Sequence, residues 1–166
     1  MRRYRGARLT AAGRGAALQL IRRHRIIESY LVERLGFGWE DVHDEAERLE
    51  HAASDDLIAR MAEAIGNPTE DPHGAPIPTA EGEVDETRLQ SIADLPENAV
   101  ATVVRMSDRD PEFLRYLDAM GIRPGASVRV LERAPFAGPI TLEIERVRHA
   151  IGTSAAAQVF IRRSRR

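Results

Sequence analysis

The chain has 166 residues, which is enough for one domain or for two small ones. Its 43% hydrophobic content supports a buried core, and its 5% aromatic content predicts that this core is mostly aliphatic. The formal net charge of −2 excludes a large cationic field over the whole chain, and the absence of cysteine excludes disulfides, thiolate metal ligands and a cysteine nucleophile. No apolar run approaches the roughly 20 residues that span a bilayer, and no apolar segment follows the arginine-rich start as in a signal peptide. We therefore expect a cytoplasmic protein.

Apolar spacing predicts three helices in the first part of the chain. Apolar residues recur at helical spacing over residues 10–35, and Gly36 fits the position that follows a helix end. A second helix is predicted over residues 39–53. Ser54 fits an N-cap with acidic residues in the first turn behind it, and the third helix is expected to end at Gly66.

The second part of the chain changes character after a loop or linker over residues 67–88, which contains four prolines and shows no periodicity. The apolar period then shifts toward two, which indicates strands, with a short helix expected over 111–120. The predicted fold class is α+β, with an all-helical domain over 10–66 followed by a small β-barrel over 89–163. The expected strands are residues 99–106, 127–131, 140–144 and 158–161.

Two imidazoles and two carboxylates share one face of the predicted second helix. The four side chains lie at spacings of four, three and one residues, and residues three or four apart share a helical face. Nitrogen and oxygen donors of this kind suit first-row divalent metals. The four residues are His43, Glu47, Glu50 and His51.

The competing interpretation of this face is a solvated run of charges, which is the more common role of such a pattern. Two features favour metal binding: Arg48 is the only arginine of the predicted helix, so the acids lack basic partners, and His43 and His51 return to almost the same face after two turns. His24 and Glu28 form a further pair at i,i+4 on the preceding helix, which is weak by itself. The residues alone leave both interpretations open.

A catalytic interpretation finds little support. The His-Glu-x-x-His motif of zinc peptidases fails, because Asp44 follows His43 and no histidine stands at position 47. We see no glycine-rich phosphate loop, and we assign no role to His73 or His149. We therefore expect no enzyme activity, although a metal-dependent hydrolase stays as a low-ranking alternative.

Several motifs in succession resemble those of one known family. They are Leu9-Thr-Ala-Ala-Gly-Arg, Arg23-His-Arg-Ile-Ile-Glu, Val42-His-Asp-Glu-Ala-Glu-Arg-Leu-Glu-His and Asp71-Pro-His-Gly-Ala-Pro-Ile-Pro. Their order resembles that of the iron-dependent repressor family, which includes the diphtheria toxin repressor and its manganese-sensing relatives. Residues 89–163 resemble the SH3-like domain that follows in many members and also occurs in ferrous-iron-transport protein A.

The resemblance implies two metal sites and a metal-dependent transcriptional regulator of metal homeostasis. Glu47 stands where the family's iron sensors have cysteine and its manganese sensors have glutamate, and a carboxylate suits Mn²⁺. The implied cofactor is Mn²⁺ or Fe²⁺, with Zn²⁺, Co²⁺ or Ni²⁺ as substitutes in vitro. The implied ancillary-site ligands are His24, Glu28 and His43, with Glu112 and the weaker candidate Asp110 from the SH3-like domain; the implied primary-site ligands are Glu47, Glu50 and His51.

The start of the chain departs from the family pattern. Family members begin with a winged helix-turn-helix that reads DNA, whereas residues 1–9 resemble only the last strand of its wing. We therefore expect a metal-sensing and dimerisation portion without the DNA-reading helix, with weak or no binding to operator DNA. The arginines proposed to touch the DNA backbone are Arg2, Arg3, Arg5 and Arg8, and the alternative for such a basic cluster is a solubilising tail.

Dimerisation is expected from the apolar surface that three short helices cannot cover alone. The residues proposed for the homodimer interface, or for the core beneath it, are Trp39, Leu49, Leu57, Ile58 and Met61. The alternative function is a stand-alone metal-binding dimer that acts through protein–protein contacts without binding DNA.

Overall fold

The structure, a computed structural model, describes residues 9–163. Its first part consists of the helices α1 (Ala11–Leu35), α2 (Val42–Glu50) and α3 (Asp55–Ala64). The side chain of Ser54 accepts a hydrogen bond from the backbone N–H of Leu57, so the predicted N-cap is confirmed, and Thr10 caps α1 in the same way by accepting from Gly13. Gly36 follows α1 with a left-handed φ of 71°. The predicted bounds of α1 and α3 are therefore right to within two residues.

The predicted second helix is too long at both ends. α2 begins at Val42 rather than at Trp39, because Trp39 leaves the helical domain and inserts its ring into the core of the neighbouring domain. Asp41, at the start of α2, makes no capping hydrogen bond and instead pairs with Arg115 of the neighbouring domain at 2.6 Å. After Glu50 the chain turns towards the cap of α3.

The helical domain is held by an aliphatic core between α1, α2 and α3. Full burial of an isoleucine contributes about 1.5–3 kcal/mol, so the two adjacent isoleucines of α1 are major contributors. Ile77, from the linker, packs into the same core. The buried members are Ile26, Ile27, Leu31, Val42, Ala46, Ile58, Ala62 and Ile77.

The second part is an antiparallel six-stranded sheet in the order β1-β6-β2-β3-β4-β5. The sequence missed β1, which has only two residues, and β5, whose apolar alternation is interrupted by arginine and histidine. It also missed the four-residue helix α5, whereas the predicted helix over 111–120 is confirmed as α4. The elements are β1 (Gln90–Ser91), β2 (Val100–Met106), α4 (Pro111–Asp118), β3 (Ser127–Arg133), β4 (Ile140–Ile144), β5 (Val147–Ile151), α5 (Thr153–Ala156) and β6 (Val159–Arg163).

The linker is pinned to both domains at its Asp71–Ala75 turn. Asp71 Oδ1 accepts hydrogen bonds from the backbone N–H groups of His73 and Ala75, each at 2.9 Å. The backbone N–H of Met106 in β2 donates to the carbonyl of His73 at 3.1 Å. Gly74 lies so close to β2 that a Cβ there would come 1.8 Å from the carbonyl oxygen of Val104. The proline-rich segment is therefore a fitted part of the fold.

Trp39 does not lie in the core where the sequence analysis placed it. Trp39 is 8% exposed and belongs to the core of the sheet domain of the same chain rather than to the core between the three helices, while its place in a dimer interface stays a prediction. Ile58 lies in the helical core, Leu49 and Met61 are half-buried against that core, and Leu57 is exposed. Within residues 9–163, no helix is long and apolar enough to cross a membrane.

We predict that Gly74→Ala destabilises the protein far more than Gly82→Ala. Both glycines have left-handed φ values, 81° and 83°, but nothing lies within 4 Å of a Cβ at position 82. The control therefore pays only the backbone strain of about 1–2 kcal/mol, whereas Gly74→Ala adds a clash worth about 1–3 kcal/mol. Chemical denaturation of both variants measures the difference, and equal losses would contradict the close packing of this turn on β2.

Candidate metal centre

The first cluster joins α1 to α2 through three side chains. His24 Nε2 lies 2.9 Å from Glu28 Oε1, His43 Nδ1 lies 3.1 Å from the same oxygen, and the two nitrogens are 2.9 Å apart. Donors around one octahedral divalent ion at about 2.1 Å are about 3 Å from one another. The three atoms therefore already have the spacing of a facial set of metal ligands.

Opposite charges hold this cluster together in the absence of a metal ion. Burial alone would lower the pKa of His24, but the hydrogen bonds and charges of Glu28 and Glu50 outweigh it and raise the pKa to about 9. Burial would likewise raise the pKa of Glu28, but hydrogen bonds from His24 and His43 lower it to about 2. The bond with Glu28 also raises the pKa of His43. A bound cation would replace the protons in this role, since metal-bound imidazoles are neutral.

His24 connects this cluster to the residues implied for the primary site. Its Nδ1 lies 2.7 Å from Glu50 Oε2, and Glu50 Oε1 lies 3.3 Å from His51 Nε2. Glu47 is exposed and lines a cavity of about 230 Å³ together with His24, His43 and Glu50. The two ligand groups that the resemblance separates therefore share one imidazole, with the side chain of His51 71% exposed at the outer end.

A second cluster lies on the inner side of Glu28. Glu28, Asp71 and His73 are all buried, and each offers one ligand atom within 4.8 Å of the others. Three of their atoms, Glu28 Oε2, Asp71 Oδ2 and His73 Nδ1, have no hydrogen-bond partner. Leaving Glu28 Oε2 and His73 Nδ1 unpaired in the interior costs about 1–3 kcal/mol for each atom. Three buried groups that offer ligand atoms within 4.8 Å of one another fit a cation with oxygen and nitrogen ligands.

The carboxylates of this inner cluster are paired with arginine and histidine side chains around it. Arg25 Nε lies 3.2 Å from Asp71 Oδ2, which is an ion-pair distance, and Arg25 also donates to the carbonyl of Pro76. Burial nevertheless raises the pKa of Asp71 to about 6. Arg25 thus balances Asp71, and His24 and His43 balance Glu28 from the other side, so a bound cation would take the place of protons on these imidazoles. The sequence analysis missed both Asp71 and His73; a carboxylate and an imidazole two residues apart before a glycine was the available signal.

The acidic residue that the sheet domain brings to the helices is Asp108. It lines the same cavity as His24 and His43. The structure does not place the two residues suggested by the resemblance there: Asp110 caps α4 by accepting from the backbone N–H of Glu112, and Glu112 itself is exposed. Within the described part of the chain, neither belongs to a group of three potential ligands. Arg2, Arg3, Arg5 and Arg8 lie outside the described residues.

Comparison with known families matches both parts of the chain. Residues 10–79 match the iron-dependent repressor metal-binding and dimerisation domain, and residues 90–163 match the FeoA domain. A solved manganese-dependent transcriptional repressor in complex with manganese is 42% identical with a TM-score of 0.89, over 95% of this chain and 75% of that one. A second structure of a manganese-dependent transcriptional repressor is 44% identical with a TM-score of 0.86, over 94% of this chain and 86% of that one.

These matches define a chain with a helical metal-binding and dimerisation domain of the iron-dependent repressor type, followed by an FeoA domain. The chain belongs to the iron-dependent repressor family, as the motif order and the α+β fold predicted. The iron-dependent repressor IdeR of Mycobacterium tuberculosis is 36% identical over 82% of this chain, which spans 64% of the length of that relative. These relatives are named as repressors, which supports the expectation of a non-enzyme at the level of the family.

We predict that Asp71→Asn destabilises the metal-free protein by breaking the ion pair with Arg25, and that it also reduces the stabilisation of the protein by Mn²⁺. Asparagine keeps Oδ1, which accepts the two backbone hydrogen bonds of the turn, but it loses the anionic oxygen of the inner cluster. A site saturated at 100 times its Kd contributes about 2.7 kcal/mol, and this share should disappear. Thermal unfolding with and without Mn²⁺ measures it. Asp56→Asn, on the exposed face of α3, serves as the control and should respond to Mn²⁺ like the unaltered protein; an equal response of Asp71→Asn would contradict the inner site.

Proposed function

We propose that this chain is the metal-sensing and dimerisation portion of a transcriptional repressor that responds to Mn²⁺ or Fe²⁺. The observation that carries the proposal is the position of Glu28. One of its oxygens contacts His24 and His43, the other is buried without a hydrogen-bond partner, and Glu28 offers a ligand atom within 4.8 Å of those of Asp71 and His73. Metal at this carboxylate would tie α1, α2, the linker and the sheet domain together.

The donor set supports Mn²⁺ more than a softer metal. The sequence contains no thiolate, and the available donors are carboxylates and imidazoles. Carboxylates are hard ligands that suit Mn²⁺, and imidazole accepts Fe²⁺ and Zn²⁺ as well. The same donors would hold Zn²⁺, Co²⁺ or Ni²⁺ in vitro. Glu47 and His51 are proposed as further ligands beside Glu50, completed by water.

The bound ion would act by neutralising charge and fixing geometry. His24, His43 and His73 would bind through nitrogen, while Glu28 and Asp71 would supply negative charge from the protein interior. Since α1, α2 and the linker all contribute ligands, binding would favour one arrangement of the domains over others. A ligand that prefers one arrangement shifts the population towards it, which is how such a chain would report metal availability.

DNA recognition is proposed for the whole regulator, in line with the names of its relatives. The four arginines at the start of the chain remain proposed contacts to the DNA backbone. The alternative function is a metal-binding dimer that works through protein contacts, and one observation favours it: Phe136 is completely exposed at the β3–β4 turn. An in-frame helix-turn-helix encoded ahead of Met1 would support the repressor, and its absence from the gene would support the alternative.

We predict that Glu28→Gln weakens Mn²⁺ binding more than Glu50→Gln does. Glu28 belongs to both clusters, whereas Glu50 contacts only His24 of the first cluster and the exposed His51. Calorimetric titration of the metal-free chain gives the affinity and the number of ions bound. The exposed Glu63→Gln is the control and should match the unaltered protein. Absence of Mn²⁺ and Fe²⁺ binding in the unaltered chain would contradict the proposed function.

We predict a homodimer at micromolar concentration that depends on α3. Leu57 is 43% exposed on this helix, and Met61 and Leu49 lie half-buried nearby, so a second copy could cover them. Leu57→Arg should shift the protein to the monomer in analytical ultracentrifugation. Val147→Arg, at a 54% exposed apolar position of the sheet domain, is the matched control and should stay dimeric. A monomeric unaltered protein would overturn the proposed interface.

A further inference from the structure

Trp39 belongs by sequence to the helical domain but packs in the core of the sheet domain. It lies in the turn between α1 and α2, and its ring contacts the buried cluster that includes Ile122 and Leu117. The guanidinium carbon of Arg123 lies 5.5 Å from the centre of the ring, within the range of a cation–π contact. Arg123 is itself held by an ion pair with Asp118. The sheet domain therefore holds this turn both by burying the Trp39 ring and by the contact of Arg123 with the ring.

The backbone carbonyl of Trp39 contacts the one histidine of the inner cluster. His73 Nε2 lies 2.7 Å from the carbonyl oxygen of Trp39, and the two rings are 5.5 Å apart. A carbonyl oxygen can only accept, so Nε2 must carry the proton of this hydrogen bond. In the neutral ring the lone pair then lies on Nδ1, which has no hydrogen-bond partner and lies 4.0 Å from Asp71 Oδ1.

The rest of His73 is fixed by the sheet domain as well. Its carbonyl accepts from Met106 of β2 at 3.1 Å, and the following Gly74 lies against the carbonyl of Val104. The backbone of His73 is therefore held against β2, and its imidazole is completely buried. The hydrogen bond to Trp39 then determines which ring nitrogen carries the proton.

We propose that Trp39 is a positioning residue that sets the tautomer of His73 for metal binding, with the docked sheet domain holding its carbonyl in place. The inference rests on the proposed function for its consequence, because only a metal-binding protein would use the free Nδ1. Groups that orient a metal-bound histidine through its other nitrogen typically contribute about 10- to 100-fold to metal affinity. Docking of the sheet domain and metal affinity at the inner cluster would thus be linked through one carbonyl.

The first test reads the tautomer in the metal-free chain. In protein labelled with ¹⁵N-histidine, NMR couplings between the ring nitrogens and the carbon-bound ring protons distinguish a protonated Nε2 from a protonated Nδ1. We expect a single form with protonated Nε2 in the unaltered chain and a mixture of forms in Trp39→Ala. Trp39→Phe keeps an aromatic ring in the core and should retain the single form. If Trp39→Ala fails to fold, Arg123→Ala replaces it as the perturbing variant.

The second test measures Mn²⁺ affinity of the same variants by calorimetry. We expect the ion at the inner cluster to bind about 10- to 100-fold more weakly in the perturbing variant. The affinity of the first cluster, formed by His24, Glu28 and His43, should not change. Phe37→Ala, at a 41% exposed aromatic of the same turn, is the control and should change neither readout. An unaltered tautomer and an unaltered affinity in the perturbing variant would overturn the inference. Absence of Mn²⁺ binding in every protein, with the tautomer dependent on Trp39, would instead contradict the proposed function alone.

Discussion

The structure depends on a carboxylate placed inside a helical core. Glu28 is completely buried on α1, directly after the two isoleucines of the aliphatic helical core. An ionised carboxylate in such a place is very unfavourable unless it is paired and hydrogen-bonded. His24 and His43 satisfy one oxygen, and this requirement fixes the relative position of α1 and α2. The other oxygen remains unpaired, which requires a partner from the linker side or a bound cation.

The two domains are less separate than the linker between them suggests. The turn before α2 enters the sheet domain through Trp39, and Asp41 at the start of α2 pairs with Arg115 of α4. The linker also contacts the sheet domain, because the carbonyl of His73 accepts a hydrogen bond from Met106 of β2. Each candidate metal cluster is therefore next to a domain contact. A change in the geometry of either cluster would therefore alter the contacts between the two domains directly.

The local part of this architecture could be predicted from the sequence. Periodicity and capping residues determine α1 and α3 because the relevant interactions lie within four residues, and the i,i+4 pair of His24 and Glu28 follows from helix geometry. The contact of His24 with Glu50 could not be predicted in this way, since it depends on how two helices cross. The family resemblance supplied the separate ligand groups but not their shared imidazole.

The larger errors concern residues whose environment comes from distant parts of the chain. Trp39 follows a helical pattern, yet burial of its large ring in the sheet domain outweighs local helix propensity. His73 lies in a proline-rich segment with no periodic signal, so nothing local indicates that it is completely buried. Asp108 and Asp110 are two residues apart, and only the start of α4 decides which one caps a helix and which one faces the cavity.

The pinned turn of the linker divides that segment into two parts with different tolerance to change in length. An insertion within residues 71–75 would move a buried carboxylate, a buried imidazole and the backbone bonded to β2 at the same time. Residues 79–88 are mostly exposed, and lengthening a free loop costs only about 0.6 kcal/mol for each doubling. Relatives of this protein can therefore vary the distance along the chain between the two domains without altering how the domains meet, as long as the extra residues enter after Thr79.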